Sequence, residues 1–352
     1  MRGVTTKPPA VRPRPPRLIR AAKAPATTPP PLVGDWAPGD TRLDDVELFV
    51  LPHGKGPEDV AIDHDGRLIA GGDDGRIWRW ERSSGVPVPR VLADTGGRPL
   101  GIEVDPRDGS LVVCDAWRGL LRVTADGQVL DLAAEAGGLP FVFCNNAAVA
   151  RDGTVFFTDS SDRYPISVWK RDLLEHRPNG RLLVWHPETG RAEVLCGGLY
   201  FPNGVALTPD ESALMLVETT THRLLRVPLS GRGTGGDPVE LADLPGYPDN
   251  MSAVGDGTFW IALPSPRVAI EERLLPHPHV RQLAALLPDR LQPQPKRYGL
   301  VARVDSRGAV LQTLHGPRGR YQMITGVRQH GDELWLGSLT ERAVARVPHL
   351  AL

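Results

Sequence analysis

The sequence predicts an all-β protein, a six-bladed β-propeller, on three observations. A strand–turn–strand wording recurs along the chain, the recurrences are one blade apart, and a spare strand precedes the first copy. The copies begin "PEDVAIDHDGRLIAGGDDGRIWRWE", "RPLGIEVDPRDGSLVVCDAWRGLLRVT", "CNNAAVARDGTVFFTDSSD", "FPNGVALTPDESALMLVETTTHRLLRVPL", "YPDNMSAVGDGTFWIALPSP" and "ITGVRQHGDELWLGSLTERAVARVP". Each holds a short alternating strand, a turn rich in Asp, Gly and Pro, and a second strand, which is the hairpin signal. They start near residues 57, 99, 145, 202, 248 and 324, mostly 42 to 57 residues apart. A unit of about 40–50 residues with four strands is a propeller blade.

The N-terminal stretch, residues 1–40, is basic and Pro-rich. It lacks the apolar core of a signal peptide, so it is expected to be a disordered or extended arm, packed in part through Trp36. The propeller is expected over 41–352. "VELFVLPHG" supplies the spare strand, which can pair into the last blade and leave no open edge. The long fifth interval carries "RVAIEERLLPHPHVRQLAALLPDRLQP", about 267–297, which reads as one or two short amphipathic helices forming a lid.

Composition narrows the partners. The 352 residues are 41% hydrophobic and 24% charged, with net charge −1. Nothing there fits a nucleic-acid or polyanion partner, and no apolar run is long enough for a membrane span. Cys114, Cys144 and Cys196 are too few and too scattered for a disulfide framework or a zinc signature. A cytoplasmic location and a small-molecule substrate are the expectation; the chain carries no signal for an oligomeric state.

The positions just before each first strand carry the chemistry. In a propeller the innermost strands surround the axis, so residues scattered along the chain gather on one face. These positions read Glu58, Leu100, Asn145 with Asn146, Asn203, Asp249 with Asn250, and Thr325. Glu58, Asn145, Asn203 and Asp249 form an all-oxygen set, suited to Ca²⁺ or another hard divalent cation; Zn²⁺ would favour His or Cys. Singly each has a structural reading: Asn203–Gly204 is an ordinary turn, and Glu58–Asp59 could cap a strand. After the second strands, on the same face, come Trp117 and His222, which with Asn146 and Asn250 are candidates to line a substrate pocket. No nucleophile-elbow or phosphate-binding glycine loop is present.

The wording "VFFTDSSDRY", "GRLLVWHPETG", "GLYFPNGVALTPD", "VETTTHRLLRV" and "LADLPGYPDNM" resembles the strictosidine synthase-like proteins, within the regucalcin/gluconolactonase and paraoxonase superfamily of six-bladed propellers. The resemblance implies a catalytic Ca²⁺ held at Glu58, Asn145, Asn203 and Asp249. Where the family usually has Asn-Asp, this chain has Asn145–Asn146. Leu100 stands at the paraoxonase catalytic His, and Thr325 at the Glu of strictosidine synthase proper, so neither of those activities is expected. The resemblance implies a metal-dependent hydrolase of esters or lactones, with Asp249 as ligand and as nucleophile or base. A condensing or isomerising enzyme of specialised metabolism, or a non-catalytic propeller with structural calcium, are the alternatives.

Overall fold

The computed structural model describes residues 15–81, 87–230 and 235–350. The first fourteen residues of the arm, also expected to be extended or disordered, lie outside these.

Six four-stranded antiparallel sheets are arranged as blades. Their innermost strands are Val60–Ile62, Pro99–Val104, Cys144–Val149, Pro202–Leu207, Met251–Ala253 and Ile324–His330. The last blade is completed by the N-terminal strand Glu47–Val50, which pairs antiparallel with Ala343–Val347 (Glu47 opposite Arg346). "VELFVLPHG" thus closes the ring.

The core is layered between blades. One apolar cluster joins Ala61, Ile69 and Ile77 of blade one to Ile102, Val113 and Leu121 of blade two. Equivalent clusters join each later pair, and Trp78, Trp80 and Trp335 seal blade one against blade six. The second strands, such as Leu111–Asp115 and Ala213–Glu218, are buried on both faces because each sheet is sandwiched between two others, whereas outermost strands such as Val129–Ala133 and Val239–Asp243 are half-buried or exposed.

Hydrogen bonds and close backbone approaches link the inner strands around the axis. Asp59 Oδ2 accepts from Ile102 N (3.2 Å) and Asn146 Oδ1 from Val205 N (3.1 Å). Gly204 N donates to Asp249 O (3.0 Å), Asn250 N to Thr325 O (3.0 Å), and Thr325 Oγ1 to Glu58 O (2.6 Å). Blades two and three meet where a Cβ on Gly101 would stand 2.7 Å from Asn145 O.

Two helical insertions leave the same face of the disc, each after the second strand of its blade. Helix α1 (Lys170–Glu175) belongs to blade three; α2 (Ala269–Leu274) and α3 (Pro278–Ala284) belong to blade five. The sequence anticipates the second insertion but not the first. The described part of the arm runs extended between them. Ala22 N bonds Glu175 O (2.9 Å), Ala24 N bonds Leu275 O (3.2 Å), and Arg281 reaches Ala22 O. Trp36 and Leu32 pack on the apolar layer between blades four and five. Among the described residues no helix is long and apolar enough to cross a membrane.

Candidate metal centre and cavity

Glu58, Asn145, Asn203 and Asp249 all line the floor of one cavity at the axis. Local backbone irregularity aims the two amides. The pairing of the first two strands shifts register between Cys144 and Ala147 in blade three, and between Pro202 and Val205 in blade four. Asn145 and Asn203 sit inside these bulges, and a bulge re-aims a side chain that regular pleating would send elsewhere.

The orientation of each amide follows from its neighbours. Asn145 meets Ser160 Oγ at 2.8 Å, and Ser160 Oγ donates to Pro202 O at 2.7 Å. One blade on, Asn203 meets Thr219 Oγ1 at 3.3 Å, and Thr219 Oγ1 donates to Pro248 O at 2.7 Å. A hydroxyl has one proton. Since each is spent on a carbonyl, each hydroxyl must accept from the amide, so the Nδ2 side faces it and the Oδ1 side is left over. Asn145 Oδ1, Asn203 Oδ1 and Glu58 Oε2 are buried with no hydrogen-bond partner. Leaving a buried acceptor unpaired costs about 1–3 kcal/mol, and three in one ring need a common explanation.

The electrostatics agree. Burial pushes the Glu58 carboxyl well up, and the charges of Asp249 and Asp59 add to this against weaker help from Arg98 and Asn250. Burial likewise raises Asp249 to about 7, the Asn203 side chain opposing and the Asp59 charge adding. A cation bound beside two such carboxyls would favour the carboxylate form of both. The donor set is hard oxygen throughout and fits a divalent cation of that preference. Among the described residues no three His, Cys, Asp or Glu side chains form a metal-sized group, as expected for a set of two carboxylates and two amides.

Above the floor the cavity is largely apolar and holds about 1380 Å³ of space, its open mouth included. Leu100, Phe143 and Phe201 pack with Ile166, Trp169 and Leu173 beneath α1, with the two Phe rings edge to face at 5.3 Å. Glu272 of α2, Leu275 at its C-cap and Arg281 of α3 contribute to the remaining wall. Six non-glycine residues among those described have positive φ, and His176, Phe201, His222 and Met323 of these line this cavity. Such backbone strain concentrates at functional sites.

The other pocket candidates divide. His222 lines the cavity. Asn250 stands beside it and donates from Nδ2 to Glu58 Oε1 (2.9 Å), so it holds a floor carboxylate rather than facing the space above. Two further expectations are corrected. Asn146 is turned away, because the bulge that aims Asn145 inward points its neighbour at the next blade, where it caps Val205 N. Trp117 is not among the lining residues; its backbone N–H is tied to Asp115 Oδ1 (2.9 Å), which keeps it on the loop of blade two. Ser160 and Thr219, which fix the amides, are not among the residues the sequence singles out. Their place at the end of the second strand, beside Asn145 and Asn203, is the signal that could have marked them.

Solved structures with this architecture include a gluconolactonase from Xanthomonas campestris (TM-score 0.63, 20% identity, covering 94% of this chain and 98% of that one). Another is a calcium-binding protein, regucalcin, from Agrobacterium tumefaciens (TM-score 0.60, 16% identity, 86% and 94% covered). These likenesses place the chain in the class of six-bladed propellers with that fold. The family described as strictosidine synthase matches residues 145–232, and that described as strictosidine synthase-like, N-terminal, matches 34–80. Strictosidine synthase-like protein 13 of Arabidopsis thaliana is 33% identical over 325 residues, 84% of this chain and 78% of that protein. Adipocyte plasma membrane-associated protein of Salmo salar is 32% identical over 331 residues, covering 88% and 79%. The chain belongs to the strictosidine synthase-like family.

Proposed function

We propose that this protein is a divalent-cation-dependent hydrolase of esters or lactones whose substrates have an apolar body. The observation that carries the reading is the ring of unpartnered oxygens, from Glu58, Asn145 and Asn203, set with Asp249 in the floor of an apolar cavity. These four residues would hold the cation, with Ca²⁺ the best match to their hardness. Bound there, a divalent cation polarises a carbonyl oxygen and lowers the pKa of water.

The chain's own residues bind and orient. Phe143, Phe201, Trp169 and Leu173 receive the apolar part of the substrate and keep bulk water from the floor. Ser160 and Thr219 hold the amide oxygens inward, so no reorganisation is needed when charge develops. Asp249 is proposed as ligand and as nucleophile or base. The gluconolactonase fold of one structural relative supports lactone chemistry in general. The apolar wall supports an aryl or alkyl compound rather than a sugar. Thr325 spends its hydroxyl proton on Glu58 O, which supports hydrolysis over an amine–aldehyde condensation.

The test is calorimetric titration of chelator-treated full-length protein with Ca²⁺, followed by turnover of phenyl esters and alkyl lactones with and without the ion. One tight site and ion-dependent turnover are expected. Binding without turnover would favour a non-catalytic calcium propeller, and no divalent binding would sink the metal reading.

A further inference from the structure

The same cavity holds an unpaired nitrogen that is not part of the oxygen ring, on His222. His222 Nε2 lies 3.0 Å from Glu272 Oε1 on α2. Glu272 is itself held by Arg267, from Nε at 2.9 Å and from the outer guanidinium nitrogen at 3.0 Å, and by Thr27 of the arm. Burial alone would raise the Glu272 carboxyl, but these hydrogen bonds outweigh it and hold it far below its ordinary value. It is therefore a carboxylate and can only accept. The proton of the imidazole is on Nε2, and Nδ1 is a bare acceptor.

That acceptor is buried and has no partner. The ring is nearly buried too, edge to face with Tyr247 at 4.7 Å, two residues before Asp249. Its backbone is left-handed, φ +57°, a cost that a β-carbon residue accepts only where its surroundings enforce it. Asp243 and Arg267 are the other charges acting on it, and burial lowers its pKa, so the ring is neutral. A neutral imidazole, keyed by a carboxylate through one nitrogen and bare at the other, is the arrangement of a proton acceptor.

We propose that His222, oriented by Glu272, carries the proton in the hydrolysis assigned above, on which this inference rests. An O–H bond of the attacking water breaks and its proton passes to the Nδ1 lone pair as the oxygen bonds the carbonyl carbon. When the tetrahedral adduct collapses, the C–O bond to the leaving alcohol breaks and Nδ1 returns the proton to that oxygen. Acid and alcohol, or the hydroxy acid of a lactone, are the products. Asp249 is then a ligand, and Glu272 a positioning residue delivered by the lid.

Two measurements decide. In a long-range ¹H–¹⁵N spectrum of the chelator-treated, histidine-labelled chain, His222 should be neutral with the proton on Nε2, and Glu272→Gln should lose that fixed tautomer. In turnover of an ester that the wild type hydrolyses, His222→Gln should lower kcat by about 10²–10⁴-fold with KM little changed. A wild type that hydrolyses no ester or lactone sinks the hydrolase reading and this proposal with it. An active wild type beside an equally active His222→Gln overturns this proposal alone, as does a spectrum with the proton on Nδ1. Should His222→Gln fail to fold, the wild-type spectrum still decides the tautomer, and kcat of Glu272→Gln, expected to fall, decides the chemistry.

Discussion

The floor of the cavity is assembled from repeated strands, whereas its roof is assembled from insertions that repeat nowhere in the chain. On the floor, each blade hands its neighbour a hydrogen bond or a close backbone contact within a few residues of a site side chain. The roof is tied by contacts spanning more than a hundred residues in sequence, such as Arg20 N to Glu175 Oε2 at 2.8 Å. It also leaves apolar side chains in solvent, Leu283 at 67% and Ile270 at 51% exposed. The contrast separates the parts: the floor is a ring of polar groups that cannot move without opening the blades, and the roof is a wall whose shape and stability can vary independently.

The largest expected effect breaks the floor's chemistry without its geometry. Asp249→Asn keeps the shape and removes one charge, so Ca²⁺ binding in calorimetry should vanish and ester or lactone turnover should fall by orders of magnitude while the melting curve remains cooperative. Asn250→Ala is the graded companion. It takes a hydrogen bond from Glu58 Oε1 but removes none of the four assigned ligands, so it should weaken binding without abolishing it. Equal, mild effects at both positions would return "YPDNM" to a plain turn.

The next effect breaks the geometry instead. A Cβ on Gly204 would lie 2.3 Å from Met251 N and 2.6 Å from Asp249 O. Both are backbone atoms that cannot step aside, so Gly204→Ala must pry blade four from blade five, at a cost of about 3 kcal/mol. Gly197, on the outermost strand of blade three, has open space where its Cβ would go. Gly197→Ala should therefore be nearly neutral. Urea midpoints for the pair measure the difference, and similar midpoints would show that the inner ring is not the rigid part.

How much of this was legible follows the same divide. Glu58, Asn145, Asn203 and Asp249 could be aligned because each precedes a strand that recurs, and periodicity carries position. What periodicity cannot carry is direction: the bulge that sends Asn145 to the axis sends Asn146 to Val205, and both are Asn. Helix α1 is six residues long, too short for an apolar stripe to declare itself, and Tyr164–Pro165 before it reads as loop. The arm has the composition of a disordered segment. It is held in place by Glu175, Leu275 and Arg281, distant partners that no local pattern announces.

Removing the arm sharpens the comparison from the other side. A chain lacking residues 1–30 loses the bonds of Ala22 and Ala24 to the helical insertions and the Thr27 contact to Glu272. Hydrogen exchange should quicken in α1, α2 and α3, while protection in the inner strands is unchanged. Faster exchange throughout the blades would mean that roof and floor are one cooperative unit, and the division drawn above would fail.

The smallest effect is a pH dependence confined to the roof. Asp172 of α1 is fully buried; its Oδ2 accepts from Ser161 Oγ (2.5 Å) and Asn179 Nδ2 (3.0 Å), and its Oδ1 has no partner. Burial raises its pKa to about 7, the two hydrogen bonds opposing and the charges of Glu175 and Asp162 adding. In the unfolded segment the carboxyl titrates near its ordinary value of about 3.9. Between these values the folded state binds more protons than the unfolded one, so local stability falls as pH rises. The contribution is complete below about pH 4 and is lost as pH climbs through about 7. Amide protection in α1, corrected for intrinsic exchange rates, should therefore be greater at the acidic end of that window than above it. Asp172→Asn, which cannot ionise, should flatten the dependence, while the inner strands serve as the internal reference. A slope that survives in Asp172→Asn would place the titrating group elsewhere in the roof.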